Sequence, residues 1–274
     1  MISHRWPAYS AIAGFTAVAL GCLFSLGVQK PLTLPQHGGT VTVLAEPSPA
    51  PALGAGPAAQ EAAPDAGYYN QLRARLRWVQ TRMGGDMLLT PDLNSRMLLA
   101  KSAARHARLS EVGLNFQDVY GIINAETSWV PRTGASKDGT PNLGIAQFEP
   151  ATARALGVRD PQDPVEAVHA AALHMKDAAR WSAERLEGIT LHADERAEKL
   201  REGVSIYYNL STRGRNAWNG RNTARLPRET QRHIENARLG AQEAAVLEAQ
   251  LQAVRAARSL GPAVMTANTD AIGG

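Results

Sequence analysis

The chain has 274 residues, 44% of them hydrophobic and 20% charged, a composition that suits one or two folded domains and excludes a disordered polyelectrolyte. Its formal net charge of +4 is mildly basic and fits an anionic partner without identifying one. The single cysteine, Cys22, excludes a disulfide framework, a cysteine-based zinc site and an iron–sulfur centre.

Residues 1–30 predict a targeting segment. Arg5 precedes an uncharged run, and the apolar stretch 8–28 is close to the roughly 20 residues that cross a bilayer. Three interpretations stay open: a retained membrane anchor, a signal peptide cleaved near Val43-Leu44-Ala45, and a lipoprotein signal around Ala19-Leu20-Gly21-Cys22. Each places the remaining chain outside the cytoplasm, so we expect a periplasmic protein that is anchored in the inner membrane or secreted after cleavage.

Residues 31–66 predict a linker. Their second half, 46–66, is rich in proline and alanine and has almost no large apolar side chains. Such a segment buries too little surface to offset the entropy lost on ordering. We therefore expect a semi-extended spacer that holds the following domain away from the membrane.

The remaining chain predicts mainly α-helix. Residues 67–90 are expected to form a helical extension, because apolar side chains recur there at helical spacing until Gly84-Gly85 ends the pattern. These side chains are Tyr69, Leu72, Leu76 and Val79. Thr90-Pro91 then predicts a cap and the first position of a helix that runs to about residue 108.

Residues 91–240 predict the main domain. Further helices are expected over 116–128, 150–156, 164–186, 194–209 and 227–238. The turn-rich stretch 133–143 contains Asp138-Gly139, a dipeptide typical of hairpins. No long alternating run occurs, so the expected fold class is mainly α with at most a small β-hairpin.

Residues 241–274 predict a C-terminal helix and tail beyond a break at Gly240. Leu247, Leu251 and Val254 fall on one helical face. We expect this helix to dock on the domain, while a short self-association seam is the alternative. Residues 261–274 are expected to be a frayed tail.

Glu126 is the first candidate for acid–base chemistry. It follows Val119, Ile122 and Ile123 at helical spacing, so its side chain is expected on or beside the buried face of the helix. A carboxyl held there loses solvation, which favours its neutral, proton-donating form. By itself this is a weak signal, because a glutamate near a helix end is more often solvated or a cap.

Three further segments carry candidate binding residues. Gly144 would let a backbone approach closely, and Gln147 supplies an amide that both donates and accepts, as sugar recognition requires. Tyr207-Tyr208-Asn209 ends a predicted helix with an aromatic platform and a second amide. The last segment is Glu229-Thr230-Gln231-Arg232-His233-Ile234.

Together with Glu126-Thr127, these segments resemble the catalytic domain of the soluble lytic transglycosylases, in the lysozyme-like superfamily. The family pattern is an apolar helix ending in Glu-Ser, followed by Gly-Leu-Met-Gln, Ala-Tyr-Asn and Glu-Thr-x-x-Tyr-Val. Its order and approximate spacing agree with this chain over about residues 91–240. The resemblance implies a lysozyme-like helical domain there.

The resemblance also implies a reaction, the cleavage of the β-1,4 bond between N-acetylmuramic acid and N-acetylglucosamine in peptidoglycan, without a cofactor or a metal. Glu126 would be the single acid and base. It would protonate the leaving oxygen and then take a proton from the muramic C6 hydroxyl, which attacks C1 and leaves a 1,6-anhydro product. This internal hydroxyl makes dispensable the second carboxylate that ordinary glycosidases use.

The other matched residues would bind the substrate. Thr127 stands in the place of a serine that helps to position the sugar. The glycan groove would be lined by Gly144, Gln147, Tyr208 and Asn209. Glu229-Thr230 matches a helix start and is expected to be mainly structural.

Four matched positions depart from the family pattern. Thr127 replaces serine, keeping the hydroxyl on a stiffer side chain, and Ala146 replaces methionine, which would widen one subsite. Ser211 replaces a glycine, and His233 replaces the late tyrosine. None of these changes removes the acid, so they bear on substrate detail and rate more than on the class of reaction.

Two other functions on the same residues stay open. A muramidase, which is a lysozyme-like hydrolase, would deliver water in place of the C6 hydroxyl. A scaffold without activity would bind peptidoglycan and position an envelope machine. Small domains of this layout often accompany secretion, conjugation or pilus systems, so such an assembly is a candidate partner beside the glycan strands and the inner membrane.

Neither a nucleic acid nor a metal ion is an expected partner. The arginine-rich stretch 213–238 has Trp218 as its lone aromatic residue and is interrupted by glutamates, so it lacks a basic face with base-stacking side chains. His169 and His174 are five residues apart on one predicted helix, and such residues do not share a face as metal ligands would.

Overall fold

The computed structural model describes residues 66–136 and 138–259. These residues form eight α-helices and two two-stranded antiparallel sheets, so the mainly α prediction is confirmed for this part of the chain. The predicted targeting segment 1–30, the linker up to residue 65 and the tail from residue 260 lie outside the described residues. Within the described part, no helix combines the length and the hydropathy that a membrane span requires.

The segment predicted as a helical extension folds in part as a β-hairpin. Helix α1 covers Ala66–Arg75. Strands β1 (Trp78–Met83) and β2 (Asp86–Pro91) follow, and they pair antiparallel around Gly84-Gly85. Gly84 has a φ of +62°, which supplies the positive angle that a two-residue hairpin turn needs.

The helical prediction is therefore wrong for residues 76–90. Val79, expected on the apolar stripe of a helix, lies on β1 and is 46% exposed. Thr90-Pro91 ends β2, and Asp92 instead caps helix α2 (Leu93–His106) by accepting a hydrogen bond from a first-turn amide at 2.7 Å. The hairpin escaped prediction because four of the six β1 residues and three of the six β2 residues are exposed, and no buried face leaves an alternating apolar pattern.

Helix α3 (Phe116–Thr127) is central to the fold. Its start is fixed by a capping box, in which Asn115 bonds the first-turn backbone and the Asp118 carboxylate accepts from the Asn115 amide at 2.8 Å. Its apolar side chains enter a main core shared with α2 and with helices α5 (Pro164–Leu186) and α6 (Ala193–Asn209). The bounds of α3, α5 and α6 agree with those predicted to within one residue.

Helix α8 (Arg228–Ser259) packs along α3. It continues through Gly240, so the break predicted there is wrong. One helix of 32 residues passes through that position. A Cβ atom on Gly240 would lie 2.7 Å from Asn124 Cβ on α3, and one on Gly121 would lie 2.2 Å from the carbonyl oxygen of Ala237. The two backbones touch at this crossing, which explains a glycine inside a helix despite its low helix propensity.

The prediction that the C-terminal helix docks on the domain is confirmed for the part of α8 up to Leu251, whereas residues 252–259 are exposed. Leu247 and Leu251 pack against the main core, whereas Val254 is 49% exposed. Both leucines are partly buried in this packing, which agrees with docking, and self-association of the remaining exposed face stays an alternative. The predicted separate helix is thus a continuation of the last helix of the domain.

The turn-rich stretch 133–143 forms a second small hairpin near the end of α3. Strands β3 (Gly134–Ala135) and β4 (Pro141–Asn142) pair, and Asp138-Gly139 lies in the connecting turn, as predicted. Helix α4 (Pro150–Ala155) follows and returns the chain toward α5. The Thr127 hydroxyl donates to the carbonyl oxygen of Ile145, between β4 and α4, so this region lies beside the helix end that carries Glu126.

Gly121→Ala tests the tightness of the α3–α8 crossing. The added methyl group would collide with a carbonyl oxygen of α8, so we expect the free energy of unfolding in urea to fall by about 1–3 kcal/mol. Gly85→Ala is the matched control, because a Cβ there meets nothing within 4 Å. Its effect should stay within about 0.5 kcal/mol. Unchanged stability of Gly121→Ala would contradict a tight crossing.

Candidate active site

Glu126 lies in the last turn of α3, on the face that enters the core. Val119 and Ile123 on the same face are fully buried, and Glu126 itself is 4% exposed. The prediction that this helix carries the carboxyl on its apolar side is confirmed. Acidic side chains are rarely so buried unless they are paired or used in chemistry, which makes Glu126 the leading functional candidate.

One oxygen of the Glu126 carboxyl is held by α8. His233 Nε2 lies 3.0 Å from Glu126 Oε1, within hydrogen-bond distance, and the imidazole is fully buried. Among the described residues Glu126 Oε2 has no hydrogen-bond partner, yet it is not one of the unpartnered polar atoms that are shut off from solvent. Oε2 is therefore the oxygen that an incoming ligand reaches.

The backbone that follows Glu126 is strained. Ser128 and Trp129 have φ values of +53° and +65°, in the left-handed region that disfavours residues with side chains. This pair ends α3 and turns the chain so that Trp129 is buried, with its ring centroid 4.9 Å from that of Tyr120. Gln147 is a third such residue, at φ +50°. Three of the four non-glycine residues with positive φ in the described chain thus lie in the two segments around Glu126, and the fourth is Arg108, at φ +49°.

Arg132 closes the carboxyl end of α3. Its guanidinium donates to the carbonyl oxygens of Thr127 at 2.8 Å and of Glu126 at 3.1 Å, groups that a helix end leaves without partners. Burial lowers the pKa of Arg132, and the negative charge of Glu126 opposes that shift. The cation therefore satisfies the helix end and lies within electrostatic reach of the carboxyl.

Thr127 and Gly144 hold the segment 143–148 against the end of α3. Thr127 Oγ1 donates to the carbonyl oxygen of Ile145 at 2.8 Å. Gly144 has a φ of +70°, and a Cβ there would lie 1.9 Å from the carbonyl oxygen of Pro161, so only glycine fits. The close backbone approach expected at Gly144 is confirmed. Substrate contact by these two residues stays a prediction, because the structure gives both of them positioning roles.

The Gln147 amide is anchored through its nitrogen. Nε2 donates to the carbonyl oxygens of Arg132 and Gly144, both at 2.8 Å. Oε1 lies toward Gly134, where a Cβ would come within 2.6 Å of it. Both donor contacts of the nitrogen go to the backbone, and the amide oxygen remains as an acceptor for a ligand.

Tyr208 and Asn209 end α6 behind the carboxyl. The Tyr208 hydroxyl donates to a backbone carbonyl of α5 at 2.7 Å, and burial, with a further contribution from the Glu126 charge, raises the pKa of Tyr208. Asn209 Oδ1 accepts from Thr230 Oγ1 at 2.7 Å, one turn before His233 on α8. Thr230 is thus structural, as expected, and a glycan contact by Tyr208 or Asn209 stays a prediction.

The four predicted segments meet at one place. His233 and Arg132 also lie there, and neither was predicted to have a role in the site. His233 stood only as a departure from the family pattern, although its spacing from Thr230 puts both side chains on one face of a helix. Arg132 lies outside the motifs, and no sequence feature predicted its role. Hydrogen bonds now connect each of them to the end of α3.

Two other departures are structural. Ala146 is 2% exposed and belongs to the main core, so its small side chain changes internal packing and does not widen an open subsite. Ser211 caps helix α7 (Thr212–Asn216) by accepting from a backbone amide at 3.3 Å. Neither touches the Glu126 carboxyl.

Glu149 is a second buried carboxyl in this region. It is 7% exposed and accepts from Ser136 Oγ at 2.9 Å, and burial raises the pKa of Glu149. No hydrogen bond joins it to Glu126 among the described residues. The same part of the chain holds no cluster of three or more His, Cys, Asp or Glu side chains suited to a metal ion.

Comparison with known proteins finds no relative. No protein-family model matches the chain, and neither a curated protein nor a solved structure matches it. The resemblance to lytic transglycosylases therefore stays a prediction that rests on the four motif segments of the sequence.

Thr127→Val removes the hydroxyl that holds Ile145. Because a buried carbonyl would lose its partner, we expect the free energy of unfolding in urea to fall by about 1–3 kcal/mol. Thr127→Ser keeps the hydroxyl and is the matched control, with an expected loss below about 1 kcal/mol. Equal stability of the two variants would contradict the docking role of this hydrogen bond.

Proposed function

We propose that this chain is an exported lytic transglycosylase that cleaves the bond between N-acetylmuramic acid and N-acetylglucosamine in peptidoglycan. The observation that carries the proposal is the Glu126 carboxyl, buried at the end of α3 with Oε1 on His233 and Oε2 open to a ligand. The segments that resemble the family motifs also converge on it, through the Thr127–Ile145 and Asn209–Thr230 hydrogen bonds.

Glu126 acts as the single acid and base in this proposal. Protonated Oε2 donates to the glycosidic oxygen, the bond from that oxygen to C1 of the muramic sugar breaks, and the leaving sugar keeps the proton. The carboxylate then takes the proton of the C6 hydroxyl, whose oxygen bonds to C1 and closes the 1,6-anhydro ring. Glu126 regains its proton in each cycle, and no water is consumed.

A muramidase is the second candidate, and Glu149 is the observation that favours it. A hydrolase needs a further group that activates water or forms a covalent intermediate. Glu149 supplies a second buried carboxyl two residues after Gln147. The products separate the two enzymes, because water leaves a reducing end and the internal hydroxyl leaves an anhydro end.

Export and a location at the cell wall are part of the proposal. The apolar stretch within residues 1–30 suits an anchor or a signal, and residues 31–66 suit a spacer. Together they would place the domain in the periplasm, close to the inner membrane if the anchor is retained. Local opening of the wall for a secretion, conjugation or pilus assembly fits such a tethered enzyme, and an inactive scaffold in that assembly is the non-enzymatic alternative.

The test is cleavage of isolated sacculi by the full chain in detergent, with mass spectrometry of the released muropeptides. We expect products that end in 1,6-anhydro-N-acetylmuramic acid, each one water lighter than a reducing-end fragment. Glu126→Gln keeps the shape of the side chain but cannot exchange the proton, so product release should fall by at least about 100-fold. Glu149→Gln, which also replaces a buried carboxyl, should cleave at nearly the wild-type rate.

The remaining outcomes separate the alternatives. Reducing-end products that disappear in Glu149→Gln would assign the chain as a muramidase. Binding to sacculi without products from any variant would favour the scaffold. Wild-type activity in Glu126→Gln would contradict the role of Glu126 in either enzyme.

A further inference from the structure

His233 is a titratable side chain that the packing of two helices forces onto Glu126. It stands seven residues before Gly240 on α8, and Glu126 stands five residues after Gly121 on α3, so both lie beyond the glycine crossing. The imidazole is fully buried, and Nε2 is 3.0 Å from Oε1. The geometry of the pair is therefore set by the backbone.

The second ring nitrogen decides how His233 is protonated. Nδ1 is fully buried and has no hydrogen-bond partner among the described residues. A charged ring carries protons on both nitrogens, and a buried cationic N–H without an acceptor is strongly unfavourable. The neutral ring with its proton on Nδ1 also strands a donor, which is rarer in proteins than a stranded acceptor. The neutral ring with its proton on Nε2 strands only a lone pair.

We propose that His233 is a positioning residue, whose neutral imidazole donates from Nε2 to Glu126 Oε1 and so keeps Oε2 as the oxygen that carries the reactive proton. The inference rests on the proposed function, since it assigns the two carboxyl oxygens their places in that reaction. Protonated Glu126 accepts the bond on its carbonyl oxygen, and ionised Glu126 accepts it as a carboxylate. One tautomer serves both steps, and no proton passes through His233.

The other ionisable groups around the His233–Glu126 pair do not change their charge near neutral pH. Arg132, after α3, is a guanidinium and stays cationic. Tyr208, from α6, stays neutral because burial raises the pKa of its phenol. His174 of α5 has its ring 4.9 Å from that of Tyr208, and burial lowers the pKa of His174 to about 4. Glu126 is the ionisable group that His233 contacts directly.

Nitrogen-15 NMR of the full chain in detergent tests the tautomer directly. The chain has seven histidines, and the spectrum of His233→Gln identifies the signal of His233 by its absence. We expect a proton on Nε2 and none on Nδ1 at neutral pH. A proton on Nδ1 would overturn the proposal.

Cleavage of sacculi tests the consequence. His233→Gln keeps an N–H donor and should retain kcat within about threefold, whereas His233→Phe lacks the donor and should lower kcat by about 10- to 100-fold with KM little changed. Loss of the donor removes a hydrogen bond that the ionised carboxylate accepts, so the alkaline limb of activity in His233→Phe should lie at higher pH than in the wild-type chain.

A merely structural histidine would change stability without moving the pH profile. Wild-type kcat and an unshifted profile in His233→Phe would overturn the positioning role. If the wild-type chain does not cleave sacculi, the proposed function fails. The NMR measurement still tests the direction of the His233–Glu126 hydrogen bond in that case, because it does not depend on activity.

Discussion

The close crossing of α3 and α8 is the constraint on which the site depends. Gly121 and Gly240 remove the side chains that would hold the helices apart, and their backbones touch. Beyond this contact the antiparallel helices bring Glu126 and His233 within hydrogen-bond distance. A buried carboxyl is expensive without a partner, and the crossing supplies that partner without exposing the site.

The rest of the site leaves one oxygen available. Arg132, Thr127 and Gln147 donate to backbone carbonyls, so they fix the loops around the end of α3 rather than the carboxyl itself. The positive φ angles of Ser128 and Trp129 are maintained because the Trp129 ring is buried in the main core. Oε2 of Glu126 is left as the carboxyl oxygen without a partner among the described residues, as the proposed acid–base role requires.

Local sequence patterns predicted most of the helices and the buried register of Glu126. The features that were not predicted depend on contacts between residues far apart in the chain. Helix α5 combines an aspartate cap, a proline at its first position and a long apolar period, and its predicted bounds are the observed ones. The register of Glu126 with Ile122 and Ile123 needed only the period of α3. Such signals lie within a few residues of each other, so a sequence displays them directly.

The features that were missed have distant causes. Gly240 reads as a helix end unless Gly121 is known to cross it, and the role of His233 depends on a carboxyl 107 residues away. The β1–β2 hairpin buries too little of either face to show alternation. The sequence signal for this turn was the Gly84-Gly85 pair, which follows Trp78, Val79 and Thr81.

The most direct test of the account is a crystal structure of Glu126→Gln with a bound glycan of alternating N-acetylglucosamine and N-acetylmuramic acid. We predict the scissile oxygen about 3 Å from the side-chain nitrogen at position 126, with His233 on the side-chain oxygen and the muramic C6 hydroxyl free to approach C1. A scissile bond out of reach of residue 126, or a second carboxylate placed to activate water at C1, would contradict the account.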